Sequence, residues 1–358
     1  MVELISHFPP DFTALVIAPS EDGIAAELRA MGVAVEIAPQ GAWRKVTGRM
    51  TALFRQIPKS ARIVKMFAPD LIHANELHSV PAASRAGKDR FPLTGHVRLS
   101  ITEKQIRTYD MAKCERIVVV SDAVRRLFAE SPLLERTRVV YNGVNVAKLK
   151  NEGPIPRELA AWRALSPAPL IVGLFGLVSE RKNQLIAAEA VTMARAKGAD
   201  VRLLIAGDSF KDSVAYGEKL RVRLAAEDLR GAAVWLPFQS DVAPLYRAID
   251  VNLLISSEEG FGRTIIEAGA MGKPSIGAET GGIPEIIRCG ETGWLVPAND
   301  SHSLAMQLID AAMNRDRIAK LGAAAQKLVN EKFTIQAHVR NMVSVWDEAI
   351  EEHARNQR

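Results

Sequence analysis

Ser257-Glu258-Glu259-Gly260-Phe261-Gly262-Arg263-Thr264-Ile265-Ile266-Glu267-Ala268 follows closely on the apolar run at residues 251–255. A buried run, a glycine turn and a stretch of helical spacing in that order read as strand, turn and helix. The glycines let the backbone come close to a ligand. The first helical amides, near Gly262, Arg263 and Thr264, then point their donors and the positive end of the dipole outward, as an anion such as a diphosphate requires. Glu267 falls near the end of the first helical turn, where a carboxylate can accept from two vicinal hydroxyls such as those of a ribose. Glu259, in the turn itself, can address a sugar. A strand-turn-helix alone is common to any α/β protein, and the pair of glutamates at this spacing is what makes the segment specific.

The same grammar extends outward in both directions. Apolar runs at 170–175, 201–206, 233–237, 251–255, 274–278 and 294–297 alternate with helical patterns, the mark of βαβ units on a parallel sheet. An earlier set at 12–18, 33–39, 70–74, 92–97, 116–121 and 138–141, with helices at 24–31 and 122–130, reads the same way. Between the sets, residues 148–170 carry Pro154, Pro156, Pro167 and Pro169, and the pattern lapses. The expected organisation is a first Rossmann-like domain over 1–150, a second over 151–335, and a helix within 336–358 that crosses back to the first. Ligands of doubly wound sheets gather beyond the carboxyl ends of the strands, so two such sheets imply a cleft between them. The chain opens unusually. Met1, Ile5 and Phe8, with Leu4 beside them, have the spacing of a helix end where a doubly wound domain has its first strand and glycine-rich turn. The first domain is therefore expected to lack that strand, through a start downstream of the true one or through an altered domain.

With 358 residues there is room for two cores, and 48% apolar against 24% charged residues excludes a disordered chain. The longest apolar runs fall far short of the roughly 20 residues of a membrane helix. The first ten residues lack the pattern of a signal peptide. Two cysteines, Cys114 and Cys289, have no metal-ligand or redox spacing, and the expected location is cytoplasmic, extending to the inner face of the membrane. The net charge of +5 is unevenly spread: Arg44, Lys45, Arg49, Arg55, Lys59, Arg62 and Lys65 share a segment with no acidic residue. Interleaved with Trp43, Met50, Leu53, Phe54, Ile57, Ile63 and Phe67, they suit an anionic membrane surface, an anionic acceptor or an ordinary solvated helical face. A nucleic-acid partner is not expected.

The stretch from Glu259 to Pro274, EGFGRTIIEAGAMGKP, is followed by Gly281-Gly282-Ile283-Pro284-Glu285 and by Gly290-Glu291-Thr292-Gly293-Trp294-Leu295-Val296-Pro297, and Val140-Tyr141-Asn142-Gly143-Val144 ends the first half. In this order the four motifs resemble family 4 of the retaining glycosyltransferases, over nearly the whole chain. That family has the GT-B architecture of two Rossmann-like domains facing a cleft. The resemblance implies that Glu267 binds the nucleotide ribose, that Glu259 sits by the transferred sugar, and that Gly262 and Arg263, with Phe261 between the turn glycines, lie against the diphosphate and sugar. It implies a glycine turn at Gly176, then an Arg and, five residues later, a Lys that neutralises the leaving diphosphate. Lys182 fits the Lys. Leu177 occupies the Arg position, and Arg181 is the neighbouring cation that can stand in for it. Loss of a fixed cation there would cost several kcal/mol, on the order of 100-fold in rate. His96 matches the first-domain histidine that touches the donor sugar, against the plain reading of a structural histidine. Asp208 reads as a loop cap.

The expected function is transfer of a sugar from a UDP- or GDP-linked donor to an acceptor hydroxyl, with retention, on a glycan or lipid-linked acceptor in surface polysaccharide or glycolipid synthesis. The donor is a substrate; no cofactor and no essential metal are expected. The rival is a non-catalytic nucleotide-sugar-binding relic, favoured by Leu177 and the unusual start, and opposed by intact Glu259, Glu267, Lys182 and His96.

Overall fold

The computed structural model describes residues 1–39, 43, 46–149 and 152–358. The chain divides into two units, Met1–Gly143 with Ile335–Arg358, and Val144–Thr334.

Strands of the first unit are β1 (Leu15–Ala18), β2 (Ala34–Ile37), β3 (Ile72–Ala74), β4 (Leu93–Val97), β5 (Arg116–Val119) and β6 (Thr137–Val139). Among the described residues they form two separate parallel sheets, β1-β2 and β3-β4-β5-β6. A doubly wound sheet joins such sets through a central strand, and here no strand joins them. The amino-terminal segment instead forms the short helix Val2–Ile5, with Leu4, Phe8 and Phe12 packed on the helix Ile335–Asn356. That last helix buries Val339, Met342, Val345 and Trp346 against Val118 and Val140. Its register is fixed by Glu348, which pairs with Arg116 at 3.0 Å and Arg138 at 2.8 Å.

The acid-free basic segment runs as helix Val46–Thr51, a π-helical turn Ala52–Gln56 and helix Ile57–Phe67. Ala52, Gln56, Ser60 and Val64 form the buried stripe, four residues apart as one helix face requires. Met50, Leu53, Phe54, Met66 and Phe67 are exposed. Trp43, one of the apolar residues interleaved with these cations in the sequence, is buried, with the Arg85 guanidinium 4.8 Å from its ring centre. Arg44 and Lys45 lie outside the described residues.

In the second unit β7 (Leu170–Phe175), β8 (Val201–Ala206), β9 (Ala233–Leu236), β10 (Val251–Leu254), β11 (Ser275–Ala278) and β12 (Gly293–Val296) form one parallel sheet in the order β12-β11-β10-β7-β8-β9. Leu170, Val172 and Leu174 face one helical layer while Ile171 and Phe175 face the other. Burial on both faces is why these strands read as unbroken apolar runs. The stretch read as a linker contains the helix Arg157–Arg163, whose Leu159 and Trp162 are buried in this unit. Pro156 precedes its first turn, where the missing amide donor costs nothing. Among the described residues no helix is long and apolar enough to cross a membrane.

Candidate active site

Strand order in the second unit reverses between β7 and β10, which lie side by side. The crevice at such a switch point is where doubly wound sheets bind ligands. Three loops meet there. After β7, Gly176 turns the chain at φ +128° and leads through Leu177 to Arg181 and Lys182. After β10 comes Ser256 to Gly262. After β11 come Thr280, Gly281 and Gly282.

Hydrogen bonds to backbone carbonyls stitch the loops together. Ser257 N donates to Arg181 O at 2.9 Å, Arg181 Nη1 to Glu258 O at 2.6 Å, and Thr280 Oγ1 to Ser257 O at 3.1 Å. Gly282 N donates to Glu259 O at 3.0 Å. Gly281, at φ +52°, approaches so closely that a Cβ there would stand 1.8 Å from Glu259 O, so any side chain at this position displaces the glutamate backbone.

Glu259 is the centre of the polar network. Its Oε2 accepts from Lys182 Nζ at 2.5 Å and Ser256 Oγ at 3.2 Å, with Arg181 Nη1 at 3.5 Å. The Lys182 and Glu259 side chains are 12% and 13% exposed, so the pair is shielded from water yet reachable. Burial lowers the Lys182 pKa, and Glu259 opposes that fall. Leu177 is exposed beside these loops and adds no charge. Arg181 turns its guanidinium toward Glu258 O and Glu259, on the glutamate side of the turn.

Gly262, at φ +123°, starts the helix Arg263–Ala270. A Cβ on it would meet Ile265 and Leu254 side chains at 3.0 Å, so the turn is closed to other residues by both conformation and space. The first amides of this helix have no partner within it. Thr264 Oγ1, beside them, and Ser179 Oγ, in the loop after Gly176, are buried hydroxyls without a hydrogen-bond partner. Neither hydroxyl was singled out by sequence, where an isolated hydroxyl carries no signal. Glu267 lies farther along the helix with a 16% exposed side chain, Arg263 Nη2 3.3 Å from Oε1. Burial raises its pKa, against Arg263 and Tyr246.

Other expected site residues lie elsewhere. The Phe261 ring is 3% exposed and packs edge-on against Phe333 with ring centres 5.8 Å apart; it belongs to the core, because the turn that exposes the backbone rotates this side chain inward. His96 is enclosed in the first unit, 1% exposed. Its Nδ1 is 3.3 Å from Arg98 Nη2, and its Nε2 has no partner. The structure thus gathers Glu259, Lys182, Arg181, Gly176, Gly262, Arg263 and Glu267 at one end of the second sheet, and His96 is not presented on a surface. Asp208 accepts from Phe238 N at 3.0 Å and holds the β8 and β9 loops together. Among the described residues no three His, Cys, Asp or Glu group as metal ligands.

Known proteins of the same kind bear on this geometry. Residues 2–148 match the model of Glycosyltransferase Family 4, and residues 169–314 that of Glycosyl transferases group 1. The N-acetyl-alpha-D-glucosaminyl L-malate synthase of Bacillus anthracis is 32% identical over 151 residues, 42% of this chain and 38% of that protein. The D-inositol 3-phosphate glycosyltransferase of Nocardia farcinica is 30% identical over 265 residues, 71% of this chain and 56% of that protein. The match to these relatives thus spans about half of their length or less. The structure of Anabaena Alr3699/HepE in complex with UDP and glucose superposes with a TM-score of 0.81 at 23% identity, covering 96% of this chain and 93% of that one, which shows the shared GT-B fold. Two family models that together take in most of the chain, on a doubly wound sheet with paired glutamates at its switch point, establish that this chain belongs to the family 4, or group 1, glycosyltransferases.

Proposed function

We propose that this chain transfers a glycosyl group from a UDP-linked sugar to an acceptor hydroxyl with retention at the anomeric carbon. The observation that carries the reading is the meeting, at one switch point, of the shielded Lys182–Glu259 pair with the amino end of a helix. The diphosphate lies over the amides near Gly262 and Thr264, with the unpaired hydroxyls of Ser179 and Thr264 as further donors. Lys182 neutralises charge on the departing phosphate, and Glu259 contacts the sugar. Glu267 accepts from the ribose hydroxyls. The bond from the anomeric carbon to the phosphate oxygen breaks as the bond to the acceptor oxygen forms on the same face, and the acceptor proton passes to the leaving phosphate oxygen. Such a step needs electrostatic stabilisation more than a protein nucleophile, and none of it is routed through a metal ion or cofactor. His96, expected at the donor sugar, is enclosed in the first unit, and no step here is assigned to it.

UDP is the nucleotide held by the HepE structure and the first to try. Calorimetric titration with UDP, GDP and ADP, followed by a hydrolysis assay on the matching nucleotide sugars, tests the reading. Preference for UDP with slow hydrolysis of a UDP-sugar is expected. Failure of all three nucleotides to bind overturns it. Binding without hydrolysis favours the non-catalytic rival, which the neutral Leu177 keeps in play.

The acceptor reading rests on the first unit. Exposed Phe54 and Met66 beside Arg49, Arg55, Lys59, Arg62 and Lys65, with no acidic residue among them, support a lipid-linked acceptor met at an anionic membrane surface. Sedimentation with phosphatidylglycerol vesicles but not with phosphatidylcholine vesicles is the expected result; equal failure with both rejects this surface.

A further inference from the structure

Behind Glu267 stands a side chain that no motif marks. Tyr246 belongs to the helix Ala243–Ala248 and is wholly buried. Its ring packs edge-on against Phe175 at the end of β7, with centres 4.9 Å apart and planes at 88°. The core therefore fixes where its hydroxyl can be. That hydroxyl donates to Glu267 Oε2 at 2.9 Å, with the longer alternative of Thr264 O at 3.3 Å. On the opposite side Arg263 approaches Oε1 at 3.3 Å, but its side chain is 67% exposed and offers no rigid hold.

The two partners of Glu267 are thus unequal: one is locked in the core and the other is loose in solvent. A glutamate side chain left to itself loses rotamer freedom when it must meet a ligand, at a cost of about 1–2 kcal/mol. A tyrosine with two torsions, both set by packing, prepays that ordering in the fold. Occupation of Oε2 by the phenol also decides which edge of the carboxylate remains for a ligand, namely that of Oε1.

We propose that Tyr246 is the positioning residue for nucleotide recognition, its hydroxyl fixing the Glu267 carboxylate so that the Oε1 edge is presented to the vicinal hydroxyls of the ribose. This rests on the nucleotide-sugar reading above. A merely structural tyrosine would fill the same space and satisfy the same buried oxygen without bearing on the ribose, so the test must read the ribose itself.

Tyr246→Phe keeps the ring and removes only the hydroxyl. Wild type, Tyr246→Phe and Glu267→Ala are each titrated with UDP and with 2′-deoxy-UDP, and the UDP-sugar hydrolysis assay supplies KM and kcat. Tyr246→Phe is expected to weaken UDP about tenfold, the scale of one hydrogen bond to a charged group, and 2′-deoxy-UDP distinctly less. Its preference for the ribonucleotide moves toward that of Glu267→Ala, and KM rises while kcat holds. Equal losses for both nucleotides, or no loss in Tyr246→Phe where Glu267→Ala shows one, overturns the positioning role. Should wild type bind neither nucleotide, or Glu267→Ala bind UDP as well as wild type, the ribose assignment of Glu267 fails first and the role of Tyr246 falls with it.

Discussion

In the second unit six hydrogen-bonded parallel strands bring the ends of β7 and β10 together, and polar groups gather at those ends. In the first unit the strands are divided between a pair and a four, and its polar cluster is turned inward. His73 and His96, with ring centres 5.7 Å apart, lie on the sheet face covered by Trp346, and His73 is 5.5 Å from that ring. The difference teaches that the same strand-helix grammar yields a candidate ligand site where strand ends converge and a polar core where a helix caps the sheet face.

The largest effect tests whether the two regions are independent. Trp346→Ala removes an indole that packs on Phe8, Phe12 and His73, and is expected to cost the first unit about 3–5 kcal/mol, read by urea unfolding. UDP binding measured without denaturant should hold, because Lys182, Glu259 and Glu267 draw the partners described above from the second unit. A parallel loss of UDP binding would break the comparison.

Within the site, Lys182→Ala is expected to lower turnover on the order of 100-fold and UDP affinity much less, since the ammonium matters most as the phosphate departs. Steady-state hydrolysis paired with titration separates the two. An unchanged kcat would remove Lys182 from the transfer step. Glu267→Ala should act the other way, weakening UDP by roughly ten- to thirtyfold, the scale of a charge-assisted hydrogen bond, with less effect on kcat. If both variants change the same parameter, the division of labour between turn and helix is wrong.

How much of this was readable in advance follows the distance over which each feature is decided. The strand-turn-helix around Gly262 is local, and its residues alone announced it. The six runs of the second sheet were legible because burial on both faces leaves no alternation to obscure them. The Lys182–Glu259 pair joins residues 77 apart, and spacing gave only the positions, never the contact. Tyr246 lies 21 residues before Glu267 on another helix, so no periodicity links them. Phe261 was read as a ligand neighbour because it sits among turn residues; Phe333, far along the chain, decides that its ring is core. The first unit was legible at its oddest point, since the opening residues read as a helix end and Val2–Ile5 form a short helix whose Leu4 is buried. Its histidines were not, because one residue type serves equally as ligand contact and as buried acceptor.

The smallest effect concerns those histidines and acidity. His73 Nδ1 lies 2.8 Å from Thr94 Oγ1 and 3.4 Å from Trp346 Nε1. The indole N–H can only donate, so Nδ1 is an acceptor and the folded ring is neutral. Burial, with help from Arg98, His338 and the terminal amino group, pushes its pKa down to about 3, and burial with Arg98 and His73 likewise holds His96 well below the ordinary range. A base whose folded pKa lies below its unfolded value of about 6.5 leaves the unfolded chain holding the extra proton. Stability is therefore full above pH 6.5 and falls as pH drops from there toward 3, by about 1.4 kcal/mol per pH unit for each such ring. In urea titrations of the full chain at pH 7, 6 and 5, His73→Asn should flatten the acid-side slope by about that amount, while crevice binding of UDP at pH 7 stays as in wild type. Equal slopes would mean that His73 takes its proton inside the fold, and the inward-turned cluster would then be as open to water as the crevice it is contrasted with.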